Sequence, residues 1–130
     1  MSARILIVDD NPTNLKLAAS LLGYEGYVIQ QARDAESALS MMRAEAPQLV
    51  LLDIQLPVMD GLTLARIIKA DATMRHIRVV ALTAFAMKSD EQRAFDSGCD
   101  GYIAKPIDAE KFPEQVANYL NGALRNSPVP

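Results

Sequence analysis

The feature of this 130-residue sequence that most constrains its fold is a fivefold alternation of short apolar runs with longer amphipathic segments. The apolar runs occupy residues 5–8, 27–31, 49–52, 78–82 and 101–104. Runs of this length predict β-strands, and between them apolar residues recur at the three- and four-residue spacing of α-helices. Strands that alternate with helices predict a parallel sheet with helices on both faces, so the sequence predicts a doubly wound α/β fold.

Cap and breaker residues mark where the helices begin. The predicted helix starts are Asn11, Asp34, Gly61, Ser89 and Asp108. Asn11 precedes Pro12, a favourable pair because Asn caps a helix and Pro fits its first position. Ser89 and Gln92 have the spacing of a capping box. Pro113 lies five residues into the last helix, so either the first turn is irregular or the helix proper begins near Pro113.

Length, charge and cysteine content narrow the class of protein. We expect one domain over residues 1–124 and a flexible C-terminal tail over residues 125–130, with no output domain. The net charge is −3 and the basic residues are scattered, which argues against a nucleic-acid partner. No apolar run approaches the roughly 20 residues that span a membrane, so no membrane partner is expected. A single cysteine, Cys99, excludes an intramolecular disulfide and fits a cytoplasmic location.

Four of the predicted strands end in polar residues. The first ends in Asp9-Asp10, the third in Asp53, the fourth in Thr83 and the fifth in Lys105. In an open parallel sheet, ligands bind beyond the carboxyl ends of the strands. Neighbouring strands lie ~4.8 Å apart, so we expect the three aspartates to converge. Taken alone, the Asp9-Asp10 pair is equally compatible with a solvated turn before a helix.

Three carboxylates in one cleft repel one another, and this repulsion indicates the chemistry of the site. Mg²⁺ binds oxygen ligands, commonly one or two carboxylates together with phosphate oxygens and water. Lys105 adds a fixed positive charge. A carboxylate nucleophile can form an acyl phosphate, and phosphoryl transfer depends mainly on positioning and charge neutralisation. The cluster therefore predicts a phosphoryl-transfer site that uses Mg²⁺.

Four motifs in order give the sequence a family resemblance. They are V-D-D-N at 8–11, L-D-I-Q-L-P-V-M-D-G at 52–61, L-T-A at 82–84 and K-P at 105–106. Together they resemble the signatures of the receiver domain of two-component response regulators, along the whole chain. The segment T-A-F-A-M-K-S-D at 83–90 resembles single-domain regulators of the alphaproteobacterial cell-cycle type. The resemblance implies the flavodoxin-like (βα)5 strand order 2-1-3-4-5.

The resemblance also implies the roles of the acidic residues. Asp53 would be the phosphoacceptor. Asp10, Asp53 and the backbone carbonyl of Gln55 would hold Mg²⁺, and Asp9 would act mainly through water.

Two further residues would influence the lifetime of the phosphoryl group. They are Gln55 and Phe85, which lie two residues past Asp53 and Thr83. A large ring at Phe85 is expected to slow hydrolysis of the aspartyl phosphate.

The remaining implied roles belong to the last two strands. Thr83 would hydrogen-bond the phosphoryl group, and Lys105 would pair with it. Tyr102 matches the aromatic switch position of the family, although a plain core aromatic on a short strand has the same pattern. Pro106 would follow a cis peptide bond after Lys105.

The function that follows from the resemblance is signalling by a transient aspartyl phosphate. A histidine kinase or a histidine phosphotransfer protein would donate the phosphoryl group, and a downstream protein target would read the changed surface. The domain would catalyse its own phosphorylation and slow dephosphorylation, so it is expected to be a switch and not a turnover enzyme.

Particular residues separate this function from three rivals. A phosphatase of the haloacid-dehalogenase type has a second aspartate two residues after its nucleophile, where this sequence has Gln55. A flavin-binding module of the same fold needs a hydroxyl- and glycine-rich phosphate loop, where this sequence has Asp9 and Asp10. A scaffold that binds partners without phosphate would not need Asp53, Thr83 and Lys105. A failure to bind Mg²⁺ or to take phosphate from a small donor would favour it.

Overall fold

The computed structural model describes residues 3–84 and 88–121, without the side chains of Lys88 and Asp90. Within these residues five strands alternate with five helices. The strands are β1 (Arg4–Val8), β2 (Val28–Ala32), β3 (Leu49–Asp53), β4 (Arg78–Thr83) and β5 (Gly101–Ala104). The helices are α1 (Pro12–Tyr24), α2 (Ala35–Ala44), α3 (Gly61–Ala70), α4 (Lys88–Asp96) and α5 (Phe112–Leu120). Phe85 and the predicted boundary at residue 124 lie outside the described residues.

The strands form one sheet with the order β2-β1-β3-β4-β5, and every neighbouring pair is parallel. The predicted doubly wound fold and its strand order are therefore confirmed. Val8 aligns with Leu52, and Thr83 aligns with Ala104. This register brings the carboxyl ends of the central strands to one edge of the sheet, which is where the predicted site residues follow.

The sheet separates two apolar cores, because alternate residues of a strand point to opposite faces. Leu6 packs in a core formed with α2, α3 and α4, here called the α2/α3/α4 core. Ile5 and Ile7 pack with α1 and α5, in the α1/α5 core. All five residues of β3 are buried, as expected for the middle strand of a sheet covered on both faces. None of the helices within residues 3–84 and 88–121 is long and apolar enough to cross a membrane.

Helix α5 begins at Phe112, later than Asp108, which the sequence predicts as its start. Residues 109–111 form a turn, and α5 starts at Phe112 with Pro113 in its first turn. Asp108 caps this turn instead, because its Oδ1 accepts hydrogen bonds from the backbone N–H groups of Glu110 (3.0 Å) and Lys111 (3.4 Å). Pro113 is tolerated because the first N–H groups of a helix have no intrahelical partner. The second alternative, a helix proper near Pro113, is thus the correct one.

The predicted capping box at the fourth helix is wrong. Helix α4 already includes Lys88, so Ser89 lies inside it and does not cap it. The side-chain amide of Gln92 donates to Asp96 Oδ1 at 2.7 Å, one turn further along the helix. Gln92 therefore supports the C-terminal half of α4. The helix closes at Gly98, where φ is +99° and the N–H donates to the Phe95 carbonyl at 3.0 Å.

A lysine ties the end of α3 to the starts of β4 and β5. Lys69 Nζ donates to the carbonyl oxygen of Ile77 at 2.6 Å and lies 2.7 Å from Asp100 Oδ2. The same carboxylate oxygen accepts a hydrogen bond from the backbone N–H of Val79 at 2.9 Å. Both side chains are less than a quarter exposed, so this ion pair is shielded more than a surface pair.

We predict that Lys69→Met lowers the free energy of unfolding by about 2 kcal/mol, because Asp100 and the Ile77 carbonyl lose a charged donor. Lys16→Met, at an exposed position of α1, is the matched control and should change stability by less than about 0.5 kcal/mol. Urea unfolding measures both variants. Equal stabilities for the two would contradict the bridging role of Lys69.

Candidate functional site

Three carboxylates meet at the carboxyl edge of the sheet. One oxygen from each of Asp9, Asp10 and Asp53 lies within 4.8 Å of the others. Asp9 and Asp53 are only 1% and 5% exposed, whereas Asp10 faces solvent. The structure therefore brings together the three residues that the sequence predicts to converge. The cluster offers oxygen ligands from both a buried and a solvent-facing side.

Asp9 and Asp53 are held in the same way. The backbone N–H of Asn11 donates to Asp9 Oδ1 at 2.9 Å, and that of Gln55 donates to Asp53 Oδ1 at 3.0 Å. Each carboxylate thus accepts a hydrogen bond from the backbone N–H of the residue two positions later, a local turn that aspartate favours. The second oxygen of each group is left to point into the cleft.

Lys105 lies between these second oxygens. Its Nζ is 3.1 Å from Asp9 Oδ2 and 3.2 Å from Asp53 Oδ2. The backbone N–H of Lys105 donates to the Thr83 carbonyl at 2.7 Å, and the bond to Pro106 is cis. One ammonium group therefore bridges two buried carboxylates from neighbouring strands.

One cation shared by two buried acids leaves the site with excess negative charge. Burial alone would lower the pKa of Lys105, but the charges of Asp53 and Asp9 raise it overall. Burial raises the pKa of Asp53, and the hydrogen bond from Gln55 and the charge of Lys105 offset this only in part. The nearby Asp9 adds a further upward contribution to the pKa of Asp53. A second cation at this site would relieve the imbalance.

Thr83 and Tyr102 lie on the same face of the sheet. Tyr102 aligns with Ala81, which packs in the α2/α3/α4 core, and Thr83 is two residues further along β4. Because side chains two apart in a strand share a face, both residues point to the side covered by α4. Thr83 is 4% exposed at the site end, and Tyr102 is half-buried toward the sheet edge. Both residues of the predicted switch pair therefore lie on the face of the sheet that the α2/α3/α4 core covers.

The first residue of α3 is a glycine whose role the sequence did not reveal. Gly61 opens α3, and its N–H donates to the Ile54 carbonyl at 2.8 Å. A Cβ at this position would lie closer than 3.0 Å to backbone atoms of Asp53 and Ile54. Glycine therefore allows the start of α3 to pack directly against the end of β3. Asp60 caps the same helix, because its Oδ1 accepts a hydrogen bond from the backbone N–H of Thr63 at 2.8 Å. An aspartate directly before Gly61 is the sequence feature that indicates this helix start.

Val58, in the loop between β3 and α3, has an unusual backbone conformation. Its φ is +67°, which a β-branched residue rarely adopts. The N–H of Met59 donates to the Pro57 carbonyl at 2.7 Å, so Val58 is the centre of a γ-turn of the strained kind. The side chain of Val58 is fully exposed, in the loop that joins Asp53 to α3. Backbone strain of this sort tends to accumulate at functional sites.

The other polar candidates lie away from the cluster. His76 is exposed in the turn before β4. Cys99 is buried, and burial raises the pKa of its thiol to about 12. A neutral, enclosed thiol is a poor nucleophile, so Cys99 is a core residue.

The raised pKa of Asp53 predicts a pH-dependent effect of Asp53→Asn. The folded protein binds this proton more tightly than the unfolded chain, so ionisation of Asp53 destabilises the fold as the pH rises above 3.8. With a chelator present, the variant should have a higher Tm than the wild type at pH 7. The difference should shrink as the pH falls toward 3.8.

Asp34→Asn is the control with the opposite sign. Hydrogen bonds from Ser37 lower the pKa of Asp34, so its stabilising contribution is present above 3.8 and is lost as the pH falls. This variant should therefore have a lower Tm than the wild type at pH 7. Thermal melts across the pH range measure both variants. A lower Tm for Asp53→Asn at pH 7 would mean that the Lys105 pairing outweighs burial.

Comparison with known proteins identifies the family. The family model of the response regulator receiver domain matches residues 5–117. The polar-differentiation response regulator DivK of Brucella ovis is 43% identical over 123 residues, which cover 95% of this chain and 100% of that protein.

Solved structures of response regulators also resemble this chain. A putative response regulator from Chloroflexus aurantiacus superposes with a TM-score of 0.89 at 28% identity, over 93% of this chain and 99% of that one. The chemotaxis response regulator CheY4 of Vibrio cholerae, at 21% identity, shares the fold with a TM-score of 0.86 over 91% of this chain and 98% of that one. With its sheet order, acidic cluster and matched sequence, this chain belongs to the response regulator receiver domains of two-component signalling.

Proposed function

We propose that the domain accepts a phosphoryl group on Asp53. The observation that supports this most directly is the position of Asp53 Oδ2, which faces Lys105 Nζ at 3.2 Å while Oδ1 is held by the Gln55 N–H. The attacking carboxylate is thus oriented by its own backbone and lies beside a cation. Positioning and charge neutralisation are the main requirements of phosphoryl transfer.

The donor in this proposal is a phosphohistidine of a histidine kinase or a histidine phosphotransfer protein. An oxygen of Asp53 forms a bond to phosphorus while the bond from phosphorus to the donor nitrogen breaks. The electron pair of that bond stays on the imidazole, which takes a proton from solvent. The product is an acyl phosphate, which water hydrolyses later. Each event changes the state of the domain itself, so we assign a switch and not a turnover enzyme.

The acidic cluster fits a Mg²⁺ ion, because its donors are carboxylate oxygens with excess negative charge. Asp10, Asp53 and the backbone carbonyl of Gln55 would hold the ion, and Asp9 would act mainly through water. When bound, the ion neutralises charge on the transferring phosphoryl group. Asp9 also keeps the Lys105 ammonium in the cleft by pairing with it at 3.1 Å.

Lys105 and Thr83 are the groups proposed to hold the phosphoryl oxygens. Lys105 Nζ can shift from Asp53 Oδ2 to a phosphoryl oxygen without leaving Asp9. Thr83 is buried at the end of β4 and can donate its hydroxyl if that group turns toward the site. Tyr102, on the same face of the sheet, would fill the space that Thr83 leaves. A downstream protein target would then read the surface near α4 and β5.

The extent and location of the domain belong to the same proposal. We assign residues 1–124 to the receiver domain and residues 125–130 to a tail. We place the domain in the cytoplasm, where its phosphodonors act, and the buried, unpaired Cys99 is compatible with that compartment.

Incubation with acetyl phosphate and MgCl₂, followed by intact mass and peptide mapping, tests the assignment of Asp53. The wild type should gain the mass of one phosphoryl group, on the peptide that contains Asp53. Asp53→Asn should gain none. Asp60→Asn, seven residues further on at the cap of α3, should still be modified. A phosphoryl group on Asp53→Asn would show that the acceptor is another residue.

Mg²⁺ should stabilise the folded domain, because only the fold assembles the three carboxylates. At ten times its Kd the ion adds about 1.4 kcal/mol by mass action, which raises Tm by a few degrees. Asp10→Ala should lose most of this rise. Glu25→Ala, an exposed acid at the end of α1, should keep it. A Tm that does not respond to millimolar Mg²⁺ in the wild type would contradict the metal site.

A further inference from the structure

Tyr119 of α5 contacts the backbone of the proposed switch residue. The N–H of Tyr102 donates to Tyr119 Oη at 3.2 Å, and Tyr119 Oη donates to the Tyr102 carbonyl at 3.2 Å. A phenol hydroxyl has one proton to donate and lone pairs to accept with, so it can make both bonds at once. One side chain on α5 thus engages both backbone polar groups of one residue on β5.

The position of Tyr102 in the sheet explains why these groups are reachable. Strand β5 is at the edge of the sheet, next to β4 only. Lys105 directs its N–H inward, to the Thr83 carbonyl. Because residues along an edge strand alternate between the paired and the open side, Tyr102 directs its backbone groups outward, where the Tyr119 hydroxyl meets them.

Two further contacts fix the ring of Tyr119. It packs against the α1/α5 core, which contains Ile103, Phe112 and Val116. It also lies directly over Gly101, where a Cβ would be closer than 3.0 Å to three ring atoms. The ring is therefore seated against a strand position that only glycine leaves open. Packing, the glycine and the hydroxyl all hold Tyr119 in one place.

We propose that Tyr119 is a positioning residue that couples α5 to the switch strand through the backbone of Tyr102. The side chain of Tyr102 faces the side of the sheet covered by α4, whereas its backbone is bound from the side of α5. A change in the state of Tyr102 therefore reaches α5 through the hydroxyl of Tyr119. This inference rests on the proposed phosphorylation of Asp53 and on Tyr102 as its reporter.

The test compares Tyr119→Phe with Tyr27→Phe by NMR. Tyr27 is a half-buried tyrosine packed against the same core, so its variant also loses one hydroxyl from that region. In the unphosphorylated protein, the amide of Tyr102 should exchange about tenfold faster in Tyr119→Phe than in the wild type, because one hydrogen bond is lost. Tyr27→Phe should exchange at the wild-type rate.

Acetyl phosphate with MgCl₂ then tests the coupling. In the wild type and in Tyr27→Phe, amide shifts should change both near Asp53 and along α5. In Tyr119→Phe, the changes near Asp53 should remain, and those along α5 should fall at least threefold. Gly101→Ala, which pushes the ring away but keeps the hydroxyl, should also lose the α5 response.

The outcomes separate this inference from the proposed function. Full α5 changes in Tyr119→Phe would overturn the coupling and leave the assignment of Asp53 intact. No shift near Asp53 in the wild type would overturn the proposed function, and the coupling with it. A loss confined to α5 in Tyr119→Phe and Gly101→Ala, with Tyr27→Phe unchanged, supports the coupling.

Discussion

The ammonium group of Lys105 holds together a site that would otherwise repel itself. Asp9 and Asp53 are buried at the ends of adjacent strands, and each directs one oxygen to this single cation. A buried charge is costly unless it is paired, so the cation that follows β5 offsets part of the cost of burying both acids. One ammonium group cannot balance two carboxylates, and the remaining negative charge would favour the binding of a further cation at the site.

The sequence predicted those features that depend on local pattern and on sheet geometry. Short apolar runs predicted the strands, and the parallel direction of the strands predicted that Asp9, Asp53 and Lys105 would meet. The strand order came from the family resemblance. Gly61 was missed because its role arises from the approach of one backbone to another, which no local pattern records. Ser89 was misread because its spacing from a glutamine also occurs inside an amphipathic helix.

Strand β5 contains one residue, Tyr102, that is engaged from both sides of the sheet. The side chain of Tyr102 belongs to the side of the sheet covered by α4, whereas its backbone is bound by Tyr119 from the other side. Gly101 makes this arrangement sterically feasible by leaving room for the ring. An interior strand could not be bound in this way, because its backbone groups pair on both sides. The edge position is therefore what allows one residue to contact both layers of helices.

The distribution of the site along the chain affects how the domain matures during synthesis. The acids Asp9 and Asp53 lie on β1 and β3, whereas the compensating Lys105 follows β5, the last of the described strands. A ribosome adds roughly 5–20 residues per second, so the acids leave it seconds before the cation does. A nascent chain that has paired β1 with β3 holds two acids without their internal counter-charge. The site is therefore assembled only after β5, the last of the described strands, has docked against β4.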